Sequence, residues 1–202
     1  MHLKIQPIYN REMFPLHRNW TLYFHAKNQG KKYAENKEKL IDISDLETFW
    51  KTINNMPSPS QMFSDGKTTK ILKRTGQTPN ALSFFVKGVD PSWEDPKNIN
   101  GGEWSIRKFK EVSCVDEIWK NLLVDIVGET FEKSERVNGV RVVDCTRVDQ
   151  NGTTQVMYRI EVWYDSIADK DFFSSKIKEI CSLGPHTKLL FRRHDDVKET
   201  IF

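Results

Sequence analysis

At 202 residues the chain is long enough for one well-buried core and short for two, taking roughly 100–200 residues per domain. Hydrophobic residues at 38% and charged residues at 29% fit an ordinary water-borne protein, although 6 Trp and 12 Phe exceed what one core needs and leave rings for binding. A formal net charge of +3 excludes a long nucleic-acid footprint with many neutralised phosphates and suits a short anionic ligand better.

Residues 1–13 show no clear period and read as a flexible N-terminal tail, with a single domain running over 14–202. Trp20, Leu22 and Phe24 alternate with Thr21, Tyr23 and His25, the period of a strand with one buried face. The following run from Lys27 to Lys39 is polar apart from Tyr33, which taken alone is an exposed tyrosine. Leu40 to Ile43 reads as a short strand, and Ser44-Asp45-Leu46-Glu47 as a capping box that opens a helix through Leu46, Phe49, Trp50 and Ile53. Pro57 and Pro59 end that helix, and residues 57–80 read as a mobile insertion loop.

Ala81 to Val86 is a second strand, and Trp104 to Phe109 a third. Ser113 with Asp116 opens a second helix, with Val115, Ile118, Trp119, Leu122, Leu123, Ile126 and Val127 as its apolar stripe and Gly128 as its C-cap. Val140 to Val148 and Gln155 to Trp163 form a hairpin about Asn151-Gly152. A third helix spans Asp171 to Leu183, stopped by Gly184-Pro185, and a last strand runs from Thr187 to Phe191. Strands joined by hairpins or loops, with three helices between them, imply an α+β fold: a curved antiparallel sheet with its helices on one face.

The stretch from Pro91 to Trp104 is where chemistry concentrates. Trp93 is followed at once by Glu94 and Asp95, so a flat ring and an anion share one irregular segment. Pro91 and Pro96 stiffen it, and Gly101-Gly102 supplies the turn before Trp104. Asp95 suits a structural role, accepting from backbone N–H groups of the loop. Trp20, Trp104 and Trp119 are read as core.

The string from Trp93 to Asn98 with Gly101-Gly102-Glu103-Trp104, preceded by Phe85 to Pro91, resembles the cap-binding loop of the eukaryotic translation initiation factor 4E family. Pro15 to Trp20, Leu46 to Trp50, Ile118-Trp119 through Glu129, and Val162-Trp163 match in the family's order, covering roughly residues 14 to 194. The resemblance implies a sheet with its helices on the convex face and, on the opposite concave side, a slot for the 7-methylguanosine cap of messenger RNA. N7-methylation makes the base cationic, so two rings hold it by stacking and cation–π attraction, on the order of 1–3 kcal/mol per ring. By motif, Trp93 supplies one ring and Tyr33 the second, a departure from the family's usual tryptophan.

Glu94 then accepts two parallel N–H bonds from guanine, Trp163 closes the pocket on the methyl group, and Arg159 and Arg147 take the phosphates, with Arg141 and Arg192-Arg193 in reserve. Glu103 stands where a basic residue is common. On the opposite face Pro15, Leu46, Trp50, Val124, Val127 and Gly128 match a groove that takes a helical motif from an initiation scaffold or an inhibitory binding protein. Lys120 and Asn121 depart from the apolar and acidic residues usual there.

The function implied is recruitment of capped messenger RNA for translation initiation, with no catalytic step. Two rivals stand beside it: a cap-binding paralogue that represses or stores messages, and a hydrolase in which Glu94 and Asp95 hold a metal or act as acid and base. Cys114, Cys145 and Cys181 are odd in number and far apart, and the histidines lack ligand spacing, so no disulfide, metal or cofactor is expected. No stretch approaches the ~20 apolar residues that span a bilayer, and a monomer in the cytoplasm or nucleus is the expectation.

Overall fold

A computed structural model describes residues 13–27, 36–63, 76–107, 109, 113–184 and 186–196. In chain order the strands are Pro15–Ala26 (β1), Lys37–Asp45 (β2), Pro79–Val86 (β3), Gly102–Ile106 (β4), Val137–Asp144 (β5), Arg147–Val148 (β6), Thr154–Gln155 (β7), Tyr158–Tyr164 (β8) and Leu190–Arg193 (β9). The helices are Leu46–Asn55 (α1), Pro59–Met62 (α2), Ser113–Gly128 (α3) and Lys170–Ile180 (α4). Seven strands form one antiparallel sheet in the order β2-β1-β3-β5-β8-β4-β9, while β6 and β7 pair separately as a small ribbon. The fold is α+β, and no described helix is long and apolar enough to cross a membrane.

Alternation along the strands divides the molecule. Trp20, Leu22, Phe24, Leu82, Phe84, Val140, Val142, Ile160 and Val162 are all buried in one cluster with the apolar stripe of α3. Trp20 and Phe84 stack at 5.0 Å between ring centroids, and Tyr164 stacks on Phe173 of α4 at 4.0 Å. Each of these rings removes a large apolar area from water, worth about 2–3 kcal/mol apiece. The intervening residues face the other way, where Phe85, Val89 and Trp163 form a second, smaller cluster.

Several local details differ from the sequence reading. Asp45, not Ser44, caps α1: its Oδ1 accepts from the Thr48 N–H at 2.7 Å, while the Glu47 carboxylate accepts from the Phe14 N–H at 3.2 Å. A strand that enters the helix directly puts the capping carboxylate one residue later. Gly128 is still helical, and Glu129 takes the left-handed turn at φ 48°. Its side chain is held there by an ion pair with Arg18 at 2.9 Å and a hydrogen bond with His17 at 3.1 Å.

The stretch 57–63 is ordered, because α2 docks on α3 through Asp116, whose Oδ1 accepts from the Ser60 N–H at 2.8 Å, and Phe63 is buried. Residues 64–75 lie outside the described residues. The third predicted helix ends earlier, at Ile180, where Ser182 turns left-handed at φ 50° before glycine is reached. Trp20 and Trp119 are buried, whereas Trp104 is half-buried and donates from Nε1 to the Lys170 carbonyl at 2.8 Å.

Candidate functional site

The loop between β3 and β4 crosses the sheet face that the helices leave uncovered. Its framework is a set of polar side chains bonded to the loop's own backbone. Asp95 accepts from the N–H groups of Asp90 and Lys97, both at 2.8 Å, so it serves the backbone, as its position in the loop suggests. Asn98, with no exposed surface, donates to the carbonyls of Asp90 and Ser92 at 2.8 Å and accepts from Asn138 at 2.9 Å. Gly101 lets the loop rejoin the sheet, since a Cβ there would stand 1.7 Å from the Tyr164 carbonyl oxygen. From the far edge, His194 Nδ1 donates to the Asn98 carbonyl at 2.7 Å, and its N–H to the Gly101 carbonyl at 3.1 Å.

Between this loop and the sheet lies a cavity of about 380 Å³ lined by Trp93, Glu94, Arg141, Arg159 and Trp163 among others. Trp93 is partly buried against Phe85, Val89 and Trp163. Glu94 is exposed at the rim and its carboxylate has no hydrogen-bond or ion-pair partner among the described residues. An unpartnered carboxylate beside a flat ring offers two acceptor oxygens to a planar donor.

Trp163 is wholly buried and fixed. Its Nε1 donates to Glu161 at 3.0 Å, its ring meets Phe85 edge-on at 5.4 Å, and His194 lies at 4.4 Å. It is both a core residue and the inner wall of the cavity. Gly139 makes room for this packing, because a Cβ there would come within 2.4 Å of the Phe85 ring.

The cations are held unequally. Arg159, partly exposed, pairs with Glu161 at 2.5 Å. Arg141 is buried: Nε donates to Ser83 Oγ at 3.0 Å, Nη2 to the Pro91 carbonyl at 2.5 Å, and its Cζ lies 5.0 Å from the Trp163 ring centroid. Glu161, buried between them, is 3.8 Å from Arg141 Nη1. Beneath these, His25 shares a 2.8 Å hydrogen bond with Ser83. Burial, then Arg141 and Lys37, lowers the His25 pKa to about 3. Burial pushes the Glu103 carboxyl up, but His194, with Arg192 and Arg159, holds it below its usual value.

Of the residues singled out from the sequence, Trp93, Glu94, Arg159 and Trp163 come together at this cavity. Arg147 does not line it: it stands exposed on the β6-β7 ribbon, donating to Gln155 at 3.4 Å. Tyr33 lies outside the described residues. Arg141, held in reserve for the phosphates, also lines the cavity, whereas Glu161, Asn98 and His194 carry no signal of their own, since each reads as solvated in its own segment.

The opposite face carries Leu46 and Trp50, 37% and 39% exposed, on α1. Val124 and Val127 of α3 lie partly or fully buried, with Pro15 and Gly128 exposed at its ends. Lys120 places its ammonium 6.0 Å from the Trp50 ring centroid. Phe14 extends this apolar surface and is clipped to α1 by its carbonyl, which accepts from the Leu46 N–H at 2.9 Å.

Comparison with known proteins places the chain in a family. The wheat (Triticum aestivum) protein named eukaryotic translation initiation factor NCBP is 31% identical over 197 residues, 92% of this chain and 74% of its own. Eukaryotic translation initiation factor 4E-2 of Schizosaccharomyces pombe is 26% identical over 186 residues, 90% of this chain and 68% of its own. Caenorhabditis elegans eIF4E-3, solved with the 4E-binding protein Mextli and a cap analog, superposes with a TM-score of 0.72 at 21% identity, covering 93% of this chain and 96% of that one. Ascaris suum eIF4E-3, solved with the m7G cap, gives 0.71 at 22%, covering 90% and 92%. Residues 15–200 match the family described as eukaryotic initiation factor 4E, and the chain belongs to that family.

Proposed function

We propose that this protein binds the 7-methylguanosine cap of messenger RNA in the cavity under the Trp93 loop and presents it for translation initiation through a helical partner on α1 and α3. The observation that carries the reading is the Glu94 carboxylate, unpartnered among the described residues, beside the Trp93 ring. Guanine offers that carboxylate two parallel N–H donors, and the methylated, cationic base stacks on the ring. Trp163 lines the inner wall where the N-methyl group would rest, and Arg159 supplies charge to the phosphates. Tyr33 is the second ring of the slot in this reading. It is supported by Lys37, which follows closely in sequence and pairs with Asp90 of the loop. The partner is an initiation scaffold or an inhibitory binding protein, with Leu46, Trp50 and Val124 as its apolar seat and Pro15, Val127 and Gly128 around it.

This is binding without catalysis. A shared acid–base or metal role for Glu94 and Asp95 is disfavoured because the Asp95 oxygens already accept backbone N–H groups. A second reading, a cap-binding repressor, draws on Lys120 beside Trp50, which changes the charge a docking helix would meet. Titration of tryptophan fluorescence with 7-methyl-GTP and GTP tests the site. Quenching by the methylated nucleotide alone, lost in Glu94→Ala and tightened in Tyr33→Trp, is the expected result. Equal or absent responses to both nucleotides would sink the reading.

A further inference from the structure

The cations around the cavity differ in how much hydrogen-bonding capacity they retain. Arg141 is taken up by Ser83 and the Pro91 carbonyl, and the charge of Arg159 is offset by its ion pair with Glu161. Arg193 pairs with Asp195, and Arg147 stands on the separate ribbon. Arg192 is different. Pairing across β8, β4 and β9 sets Trp163, Glu103 and Arg192 in one row. Its neighbour Phe191 packs on Trp104, on the helix-covered side, so Arg192 faces the side of the cavity.

There the guanidinium lies 5.8 Å from the Trp93 ring centroid, with no hydrogen bond or close ion pair among the described residues. Glu103, directly across from it, is buried and turned toward His194 at 3.7 Å. A guanidinium set over an aromatic ring at this distance spends none of its N–H donors on the ring and leaves them open to an anion. The planar fork matches phosphate oxygens.

Resting on the cap-binding reading above, we propose that Arg192 is a further ligand-binding residue of this site, supplying the cation for the phosphates that leave a base stacked on Trp93. It fills the place that Arg147 was expected to take. Arg159 is the second contact, partly neutralised by Glu161.

The test titrates wild type, Arg192→Ala and Arg192→Lys with 7-methylguanosine, which carries no phosphate, and with 7-methyl-GTP. Loss of one charge-assisted contact is expected to weaken 7-methyl-GTP about tenfold in Arg192→Ala. The nucleoside should bind as before, and Arg192→Lys should recover part of the loss. Equal weakening of both ligands would make Arg192 a support for the Trp93 ring and overturn the proposal, as would unchanged binding of 7-methyl-GTP. Failure of the cap reading shows separately, as wild type that does not prefer 7-methyl-GTP over GTP. In that event inorganic tripolyphosphate, titrated by calorimetry against wild type and Arg192→Ala, still decides: undiminished or undetectable binding overturns the role of Arg192.

Discussion

The two faces of the sheet are made by the same strands and obey opposite rules. On the helix side, Trp20, Leu22, Phe84, Val140 and Ile160 bury apolar surface and nothing else. On the site side, the alternating positions bury His25, Ser83, Arg141 and Glu161, each of which must be matched to a partner. The first face is stabilised by area and tolerates exchange of similar volumes. The second fixes a loop in one place, because removing one member strands the charge of another. Stability is concentrated on one side and positional accuracy on the other.

Glu161→Ala should break this contrast most severely. It leaves the buried Arg141 and the neighbouring Arg159 without their carboxylate, at a cost of about 3–5 kcal/mol in urea unfolding. Phe84→Ala should cost a similar amount on the apolar face, yet leave the nucleotide affinity of the folded fraction unchanged. Next comes Glu94→Ala, at the rim, which should leave the unfolding midpoint alone while removing about 1–3 kcal/mol of guanine discrimination in fluorescence titration.

The fourth effect is pH-dependent. Folded His25 stays neutral down to about pH 3, whereas the unfolded chain takes up a proton near 6.5. Its contribution is therefore complete above 6.5 and declines as pH falls toward 3. His25→Gln, which cannot titrate, should flatten the acid limb of stability against pH by up to about 1.4 kcal/mol per unit. Smallest is the helix cap: Asp45→Ala should cost about 1 kcal/mol and Ser44→Ala a few tenths at most, in thermal unfolding.

The same contrast explains which parts of the fold and site are legible in the sequence. Period-two alternation in β1 and the apolar stripe of α3 locate the core directly, because hydrophobic burial is a property of single positions. The Trp93-Glu94-Asp95 loop announces itself through its prolines and glycines, and Asp95 behaves as a turn-forming acid should. The burial of Arg141, Glu161, Asn98 and His194 could not be found in that way. Each looks solvated in its own segment and is buried only because a distant segment, the 91–101 loop or β9, folds across it. Arg147 illustrates the reverse error. The strand breaks after Asp144, so the register that would carry an arginine to the cavity is lost into the β6-β7 ribbon.

The grip of His194 on the carbonyls of Asn98 and Gly101 has a consequence in time. β9 is the last of the described strands in chain order, yet it forms an edge of the sheet beside β4, and the residue that follows it braces a loop made nearly a hundred residues earlier. While the chain is still on the ribosome, the other strands can pair and the apolar core can close, but the loop has no outer brace. Competence to hold a ligand is thus acquired only once β9 has emerged, as a separate step from collapse.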